Sequence, residues 1–152
     1  MTTVLAVDLG SASGRVLAGT LTDGRLDVTD IHRFKHEARR RADGTLTWDV
    51  ATMEAETIIG LKKALEQFPD AKTVSIDTWG VDWAPLDDNG ELVGDVIAYR
   101  DERTSRTLDA FRDRIADREF FDLTGNQPAT IKQANQMFAF LREDPEGAAR
   151  VS

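Results

Sequence analysis

Val4-Leu5-Ala6-Val7-Asp8-Leu9-Gly10-Ser11-Ala12-Ser13-Gly14-Arg15 is the stretch on which the reading of this chain turns. Four small or β-branched apolar residues, Val4 to Val7, read as a strand buried on both faces, and the run breaks off at an acid and a glycine. Asp8 is thereby carried out of the core at a strand end. Gly10 and Gly14 bracket Ser11, Ala12 and Ser13, so no large side chain keeps a ligand from the backbone amides, and two hydroxyls supplement them. A phosphate-binding turn has those requirements. The neighbouring carboxylate suits a hydrated magnesium ion, which takes one or two acids together with substrate phosphates. A plain β-hairpin with a Gly/Ser turn has the same composition, and the stretch alone leaves both readings open.

The chain of 152 residues is long enough for one domain with a real core. Nineteen basic residues against 27 acidic ones give a formal charge of -8, which argues against a nucleic-acid partner or an anionic membrane surface, since both demand many neutralised phosphates. The absence of cysteine excludes disulfides, thiolate zinc sites and cysteine nucleophiles. His32 and His36 stand four apart, a metal-ligand spacing on a helix, but the Ile31-His32-Arg33-Phe34 segment reads as strand, so both are taken as surface or strand residues. With no apolar run of membrane-spanning length and no signal-like start, the expectation is a soluble cytoplasmic protein.

Beyond the opening turn, Val16 to Leu21 reads as a second strand, and Thr22-Asp23-Gly24-Arg25 as a tight hairpin into a third, Leu26 to Phe34. The result is an antiparallel three-strand meander. Lys35 to Arg41 reads as a solvated basic loop, followed by an Asp43-Gly44 turn and a short strand, Thr45 to Trp48. Asp49 is placed to cap a helix whose apolar stripe runs Val50, Met53, Thr57, Leu61, Leu65 and Phe68. Gly60, in mid-helix, suits a close packing contact. Thr73 to Ile76 is a further strand, reached by a helical crossover and therefore parallel in the same sheet.

That strand ends as the first one does, in Asp77-Thr78-Trp79-Gly80-Val81-Asp82-Trp83. Ligands of open α/β sheets collect at the carboxyl ends of strands, so Asp8 and this block are expected at one cleft. Trp79 offers an indole face to a sugar ring, whereas Trp83 reads as a core anchor. Asp87-Asp88-Asn89-Gly90 marks another hairpin. Thr104 or Ser105 is placed to cap a helix through about residue 116, with further helices over 118–123 and 131–142 and a polar tail.

Taken together, D-L-G-S-A-S-G-R, T-W-D-V at Thr47 to Val50, S-I-D-T-W-G-V-D at Ser75 to Asp82 and A-Y-R-D-E-R-T at Ala98 to Thr104 resemble the N-terminal domain of the rhamnulokinases, sugar kinases of the FGGY family. The resemblance runs over the whole chain, and D-T-W-G-V-D is its discriminating block. It implies a ribonuclease-H-like α/β domain of the actin and hexokinase type, using ATP and Mg2+ to phosphorylate a ketose, with L-rhamnulose giving L-rhamnulose 1-phosphate. By position, Ser11, Ala12, Ser13, Gly14 and Arg15 would form the ATP-phosphate turn and Asp8 would hold magnesium. Gly80 would lie against the sugar, and Trp79 and Asp101 are placed near it from their neighbourhood. The segment Gln127 to Gln136 is more polar than the family pattern, which bears on sugar specificity. The resemblance also places the general-base aspartate and the adenine-binding domain beyond Ser152. Residues 1–152 are therefore expected to be an N-terminal fragment without a catalytic residue of its own, silent alone and active when joined to a C-terminal domain.

Two other readings stay open. One is another kinase of the same family, for fuculose, xylulose or a polyol. The other is a non-catalytic module that binds sugar or nucleotide.

Overall fold

A computed structural model describes residues 1–152. The chain forms two compact units, each built from two separate segments: Met1–Glu37 with Asp49–Gly80, and Ala38–Trp48 with Val81–Ser152. No composition shift or linker in the sequence announces this division.

The first unit contains β1 (Thr2–Leu9), β2 (Ser13–Thr22), β3 (Arg25–Lys35), the helix α1 (Val50–Gln67) and β6 (Val74–Thr78); the two short strands between belong to the other unit. The sheet order is β3-β2-β1-β6. The first three strands form the expected antiparallel meander, while β6 pairs parallel to β1 after the helical crossover. Asp23 and Gly24 both have positive φ, at 50° and 79°, the signature of a type I′ hairpin turn. Between β2 and β3 the register slips once, so that Ile31 is an extra residue opposite the Val16–Leu17 step.

The strand β1 is not buried on both faces, as its composition suggests. Leu5 and Val7 lie in the core with Val16, Ala18 and Ala64, whereas Val4 on the other face is 40% exposed. The apolar run reads as two-sided because valine and alanine are as common on a half-covered face as in a core. Asp49 caps α1 as expected, its Oδ1 accepting from Thr52 N at 3.0 Å. The buried stripe of α1 is Met53, Thr57, Gly60 and Ala64. Val50 and Leu65, assigned to it from the sequence, are exposed. A small-residue face wins because it lets the helix approach the sheet closely: a Cβ on Gly60 would lie 2.4 Å from Val16 Cγ2.

In the second unit, β4 (Arg39–Arg40) pairs antiparallel with β5 (Leu46–Thr47), so two of the arginines read as loop form a short strand. Main-chain bonds from Trp48 N to Val96 O and from Ala98 N to Leu46 O tie this hairpin to residues 96–98. Asp87 closes the next turn, its Oδ1 accepting from Asn89 N and Glu91 N. Four helices follow: α2 (Arg103–Arg112), α3 (Asp117–Thr124), α4 (Gln133–Glu143) and α5 (Pro145–Ala148). Phe111 meets Phe120 and Phe138 edge to face, at 5.9 and 5.5 Å between ring centres.

Three helix boundaries differ from the sequence reading. The start of α2 is held by Asp101, whose Oδ1 accepts from Arg103 N at 2.8 Å, and Thr104, expected as a cap, is buried inside the helix. That helix ends at Arg112, four residues early. The polar tail contains α5, capped by Asp144 through Gly147 N at 2.8 Å.

Candidate active site

In the first unit the β1–β2 connection is closed by one backbone bond, Gly10 N to Ser13 O at 2.9 Å. Within the chain, the amides of Ser11 and Ala12 donate to nothing, and neither the Ser11 nor the Ser13 hydroxyl is engaged. Two successive free N–H groups flanked by hydroxyls form a concavity suited to phosphate oxygens. Ala12 is exposed at the tip and Ser11 and Ser13 are half-buried. The turn is thus both accessible and held at its base.

Gly14 has a different reason to be glycine from the one its place in the motif suggests. A Cβ there would lie 2.2 Å from the Phe34 ring, which packs directly over it from the facing strand. Gly14 thus seats an aromatic ring at the base of the turn.

Asp8 and Arg15 are register partners across β1 and β2, so their side chains share a face. Arg15 Nε and Nη2 both donate to Asp8 Oδ2, at 2.8 and 2.6 Å. Oδ1 makes no hydrogen bond, and the pair is about two-fifths exposed. A carboxylate held by one oxygen, with the other open to solvent, fits a hydrated magnesium ion bound through water better than one bound directly. One strand over, the parallel register sets Asp77 beside Asp8 and Thr78 beside Leu9. Trp79 and Gly80 follow at once, so the ends of β1 and β6 bring the β1–β2 turn and the Trp79-Gly80 pair to one edge of this unit.

His36, taken from the sequence as a surface or strand residue, is the neighbour of the candidate site that reading missed. It is buried, and its ring stacks on Trp79 at 5.6 Å and 28°. Burial pushes its pKa below the usual histidine value, opposed in part by the nearby Gly10 backbone. Its main-chain N–H also donates to Ala12 O. One residue thereby touches the β1–β2 turn on one side and Trp79 on the other. The signal was there in the period-two spacing from Phe34 to His36, both buried. His32 likewise turns inward, with Nε2 2.6 Å from Glu56 Oε2 and Nδ1 3.1 Å from Lys63 Nζ.

Gly80 differs from Gly14 and Gly60. A Cβ there meets nothing within 4 Å, and its φ is outside the left-handed region. The fold of the chain gives no reason for glycine at this position. Asp101 lies in the second unit, buried, with Oδ2 accepting from Leu46 N and Oδ1 from Arg103 N, both at 2.8 Å. Its first task is to brace the hairpin and α2, although a carboxylate has about four acceptor positions and two remain. Trp83, read as a core anchor, packs edge to face on Phe140 at 5.5 Å.

A mixed sheet whose first strand leads through an acid into a phosphate-type turn, with a parallel strand added by a helical crossover, defines a ribonuclease-H-like domain of the actin and hexokinase type. Xylulose kinase from Rhodospirillum rubrum shares this fold, with a TM-score of 0.82 at 17% identity over 98% of this chain and 31% of that one. Plasmodium falciparum glycerol kinase with ADP gives a TM-score of 0.79 at 16% identity, over 98% of this chain and 30% of that one. In sequence, the chain is 35% identical to the rhamnulokinase of Bacillus subtilis over 93% of its own length and 28% of that protein's. It is 37% identical to the rhamnulokinase of Klebsiella pneumoniae, again over 93% of its length and 29% of that protein's. The chain belongs to the FGGY family of carbohydrate kinases, whose N-terminal domain matches residues 3–152. It spans about 30% of the length of the relatives it resembles.

Proposed function

We propose that the complete protein carrying this chain is an ATP-dependent ketose kinase, and that its substrate is L-rhamnulose, phosphorylated to L-rhamnulose 1-phosphate. The observation that carries the reading is the β1–β2 turn, with free amides at Ser11 and Ala12 beside the Asp8–Arg15 pair. The similarity to rhamnulokinases supports the choice of sugar.

In this reading the Ser11 and Ala12 amides and the Ser11 and Ser13 hydroxyls hold phosphate oxygens of ATP, on a turn supported by Gly14. Arg15 adds charge next to them, and Asp8 holds Mg2+ through water. Magnesium, when bound, neutralises charge on the transferring phosphoryl group. Trp79 gives the sugar an apolar face, Gly80 lets it approach the backbone, and Asp101 accepts a hydroxyl proton with its remaining lone pairs. The sugar hydroxyl displaces ADP by attack at the γ-phosphorus, its proton passing to a base outside these residues. This division makes residues 1–152 silent alone, since phosphoryl transfer depends on positioning between two halves. No helix here is long and apolar enough to cross a membrane, and the proposed setting is the cytoplasm, where ATP and sugar meet.

The test is ADP release by the complete protein with Mg2+, ATP and a panel of L-rhamnulose, L-fuculose, D-xylulose and glycerol. A kcat/KM highest for L-rhamnulose supports the assignment. A higher value for another member reassigns the sugar within the family, and absence of ADP release with all four refutes the kinase reading.

A further inference from the structure

The second unit contains a cleft of about 460 Å³, of whose lining only Asp101 enters the reading above. Its lining includes the apolar Val93, Ile97 and Phe140 together with a set of charged side chains. Almost all of those charges are committed within the protein. Arg41 Nη1 donates to Asp95 Oδ2 at 2.5 Å, Asp43 accepts from Thr45 N, and Asp101 accepts from two main-chain amides. Asp144 caps α5 through Gly147 N. Arg106 reaches Glu143 only at 3.4 Å.

Arg103 is the exception. It is 8% exposed, yet its guanidinium makes no hydrogen bond and no ion pair; the bonds of this residue are made by its main chain. A guanidinium carries five donors in a fixed fork, and here they reach the cleft: no Arg103 nitrogen is both buried and unpartnered. Burial does lower its pKa, but Asp101, Glu143 and Asp82 oppose this electrostatically, and an arginine remains a cation throughout the physiological range. The charge is therefore real and lines an open cleft, influenced by the Asp101, Glu143 and Asp82 carboxylates but bonded to none of them.

We propose that this cleft binds a small hydroxylated organic anion, its phosphate or carboxylate head taken by the fork of Arg103. Two parallel N–H groups match two oxygens of such a head, which is the geometry that makes arginine rather than lysine the residue for oxyanions. Arg106, weakly held by Glu143, supplies a second cation at the mouth. Asp95 and Glu143, each engaged through one oxygen, have acceptor capacity left for hydroxyl groups. Phe140 and Val93 cover the carbon skeleton. The site is built from residues of the second unit alone, sharing Asp101 with the proposed sugar site, and its occupancy does not depend on the kinase reading.

The test is calorimetric titration of the complete protein with glycerol 2-phosphate and, separately, with glycerate, which share a three-carbon hydroxylated body and differ in the head. A non-hydrolysable ATP analogue and Mg2+ are present throughout, to occupy the phosphate turn. Binding of one or both at about millimolar Kd, weakened at least tenfold in Arg103→Lys, is the expected result, and the better ligand identifies the head. The lysine variant keeps the charge and loses the fork. Its fold is checked by circular dichroism; should it not fold, Arg106→Gln, at an exposed position, is expected to weaken binding about threefold. Absence of binding by both anions, or binding equal in wild type and the variant measured, overturns the proposal. So does binding lost in Gly80→Ala and retained in Arg103→Lys, which would assign the anion to the proposed sugar site.

Discussion

Replacing Gly80 by alanine separates what the fold needs from what a ligand needs. At this position a Cβ has no neighbour within 4 Å, and the backbone is outside the left-handed region. Alanine there is unstrained in the folded protein and narrows the unfolded ensemble, which stabilises by about 0.4–1 kcal/mol. If a sugar lies against the Gly80 backbone, the methyl group overlaps it. Forcing an extra methyl into a filled site costs about 1–3 kcal/mol, or about five- to one-hundred-and-fifty-fold in affinity. The variant should therefore be slightly more stable in urea and have a raised KM for the sugar, with KM for ATP unchanged. The assays are a urea unfolding curve and ADP release under varied sugar and varied ATP. An unchanged sugar KM refutes the placement of Gly80 at the substrate. Loss of stability refutes the geometry behind it, since it would mean that another part of the complete protein fills the space.

Gly60→Ala makes the opposite case. Alanine gains about 1 kcal/mol of helix propensity, but the new Cβ would meet Val16 Cβ at 3.0 Å and His32 Cβ at 3.1 Å, atoms fixed by the backbone. Overpacking of this kind costs about 1–3 kcal/mol, so the urea midpoint should fall; a rise would show that α1 can lift from the sheet at no cost. Asp8→Asn removes an ion pair that is about two-fifths exposed on both sides, so stability should change by no more than about 1 kcal/mol. Activity should nevertheless drop at least tenfold, with a raised requirement for Mg2+; activity within twofold of wild type would remove Asp8 from the metal's surroundings. The buried His36 has a folded pKa below its unfolded value of about 6.5. As pH falls below that value the unfolded chain takes up the proton first, so stability is full above it and declines on acidification toward the folded pKa. Urea midpoints at about pH 7.5 and 5.5 should diverge in the wild type and converge in His36→Gln; equal divergence in both would assign the effect to other groups.

The sequence exposes those parts of the fold whose signals are local. The type I′ turn at Asp23-Gly24, the Asp49 cap and the parallel return of β6 each follow from a few neighbouring residues. What it hides is set by distant partners. Nothing near Leu65 tells that it faces outward while Ala64 faces the sheet, because the choice is made by how closely Val16 and His32 allow the helix to approach. Nothing near Asp101 tells that it caps the helix starting at Arg103 while reaching back 55 positions to Leu46. The glycines show the limit best. Gly14, Gly60 and Gly80 look alike in the sequence, and only the neighbours of a missing Cβ distinguish one that seats Phe34, one that admits Val16 and one that the fold leaves open.

The phosphate turn and the Trp79-Gly80 pair, read from separate motifs, share a support that neither motif contains. Phe34 fills the space over Gly14, and His36, two residues on, donates its main-chain N–H to Ala12 O and stacks on Trp79. The end of β3 is therefore a common wall for both. In-line transfer between bound phosphate and bound sugar tolerates displacements of well under about 1 Å. A wall touching both the turn and Trp79 would, on the kinase reading, help to fix the separation of the two ligands. On the kinase reading, this explains why a neutral, buried imidazole stands at this point in so acidic a chain: it spans the gap as a rigid ring and brings no charge of its own to the phosphates.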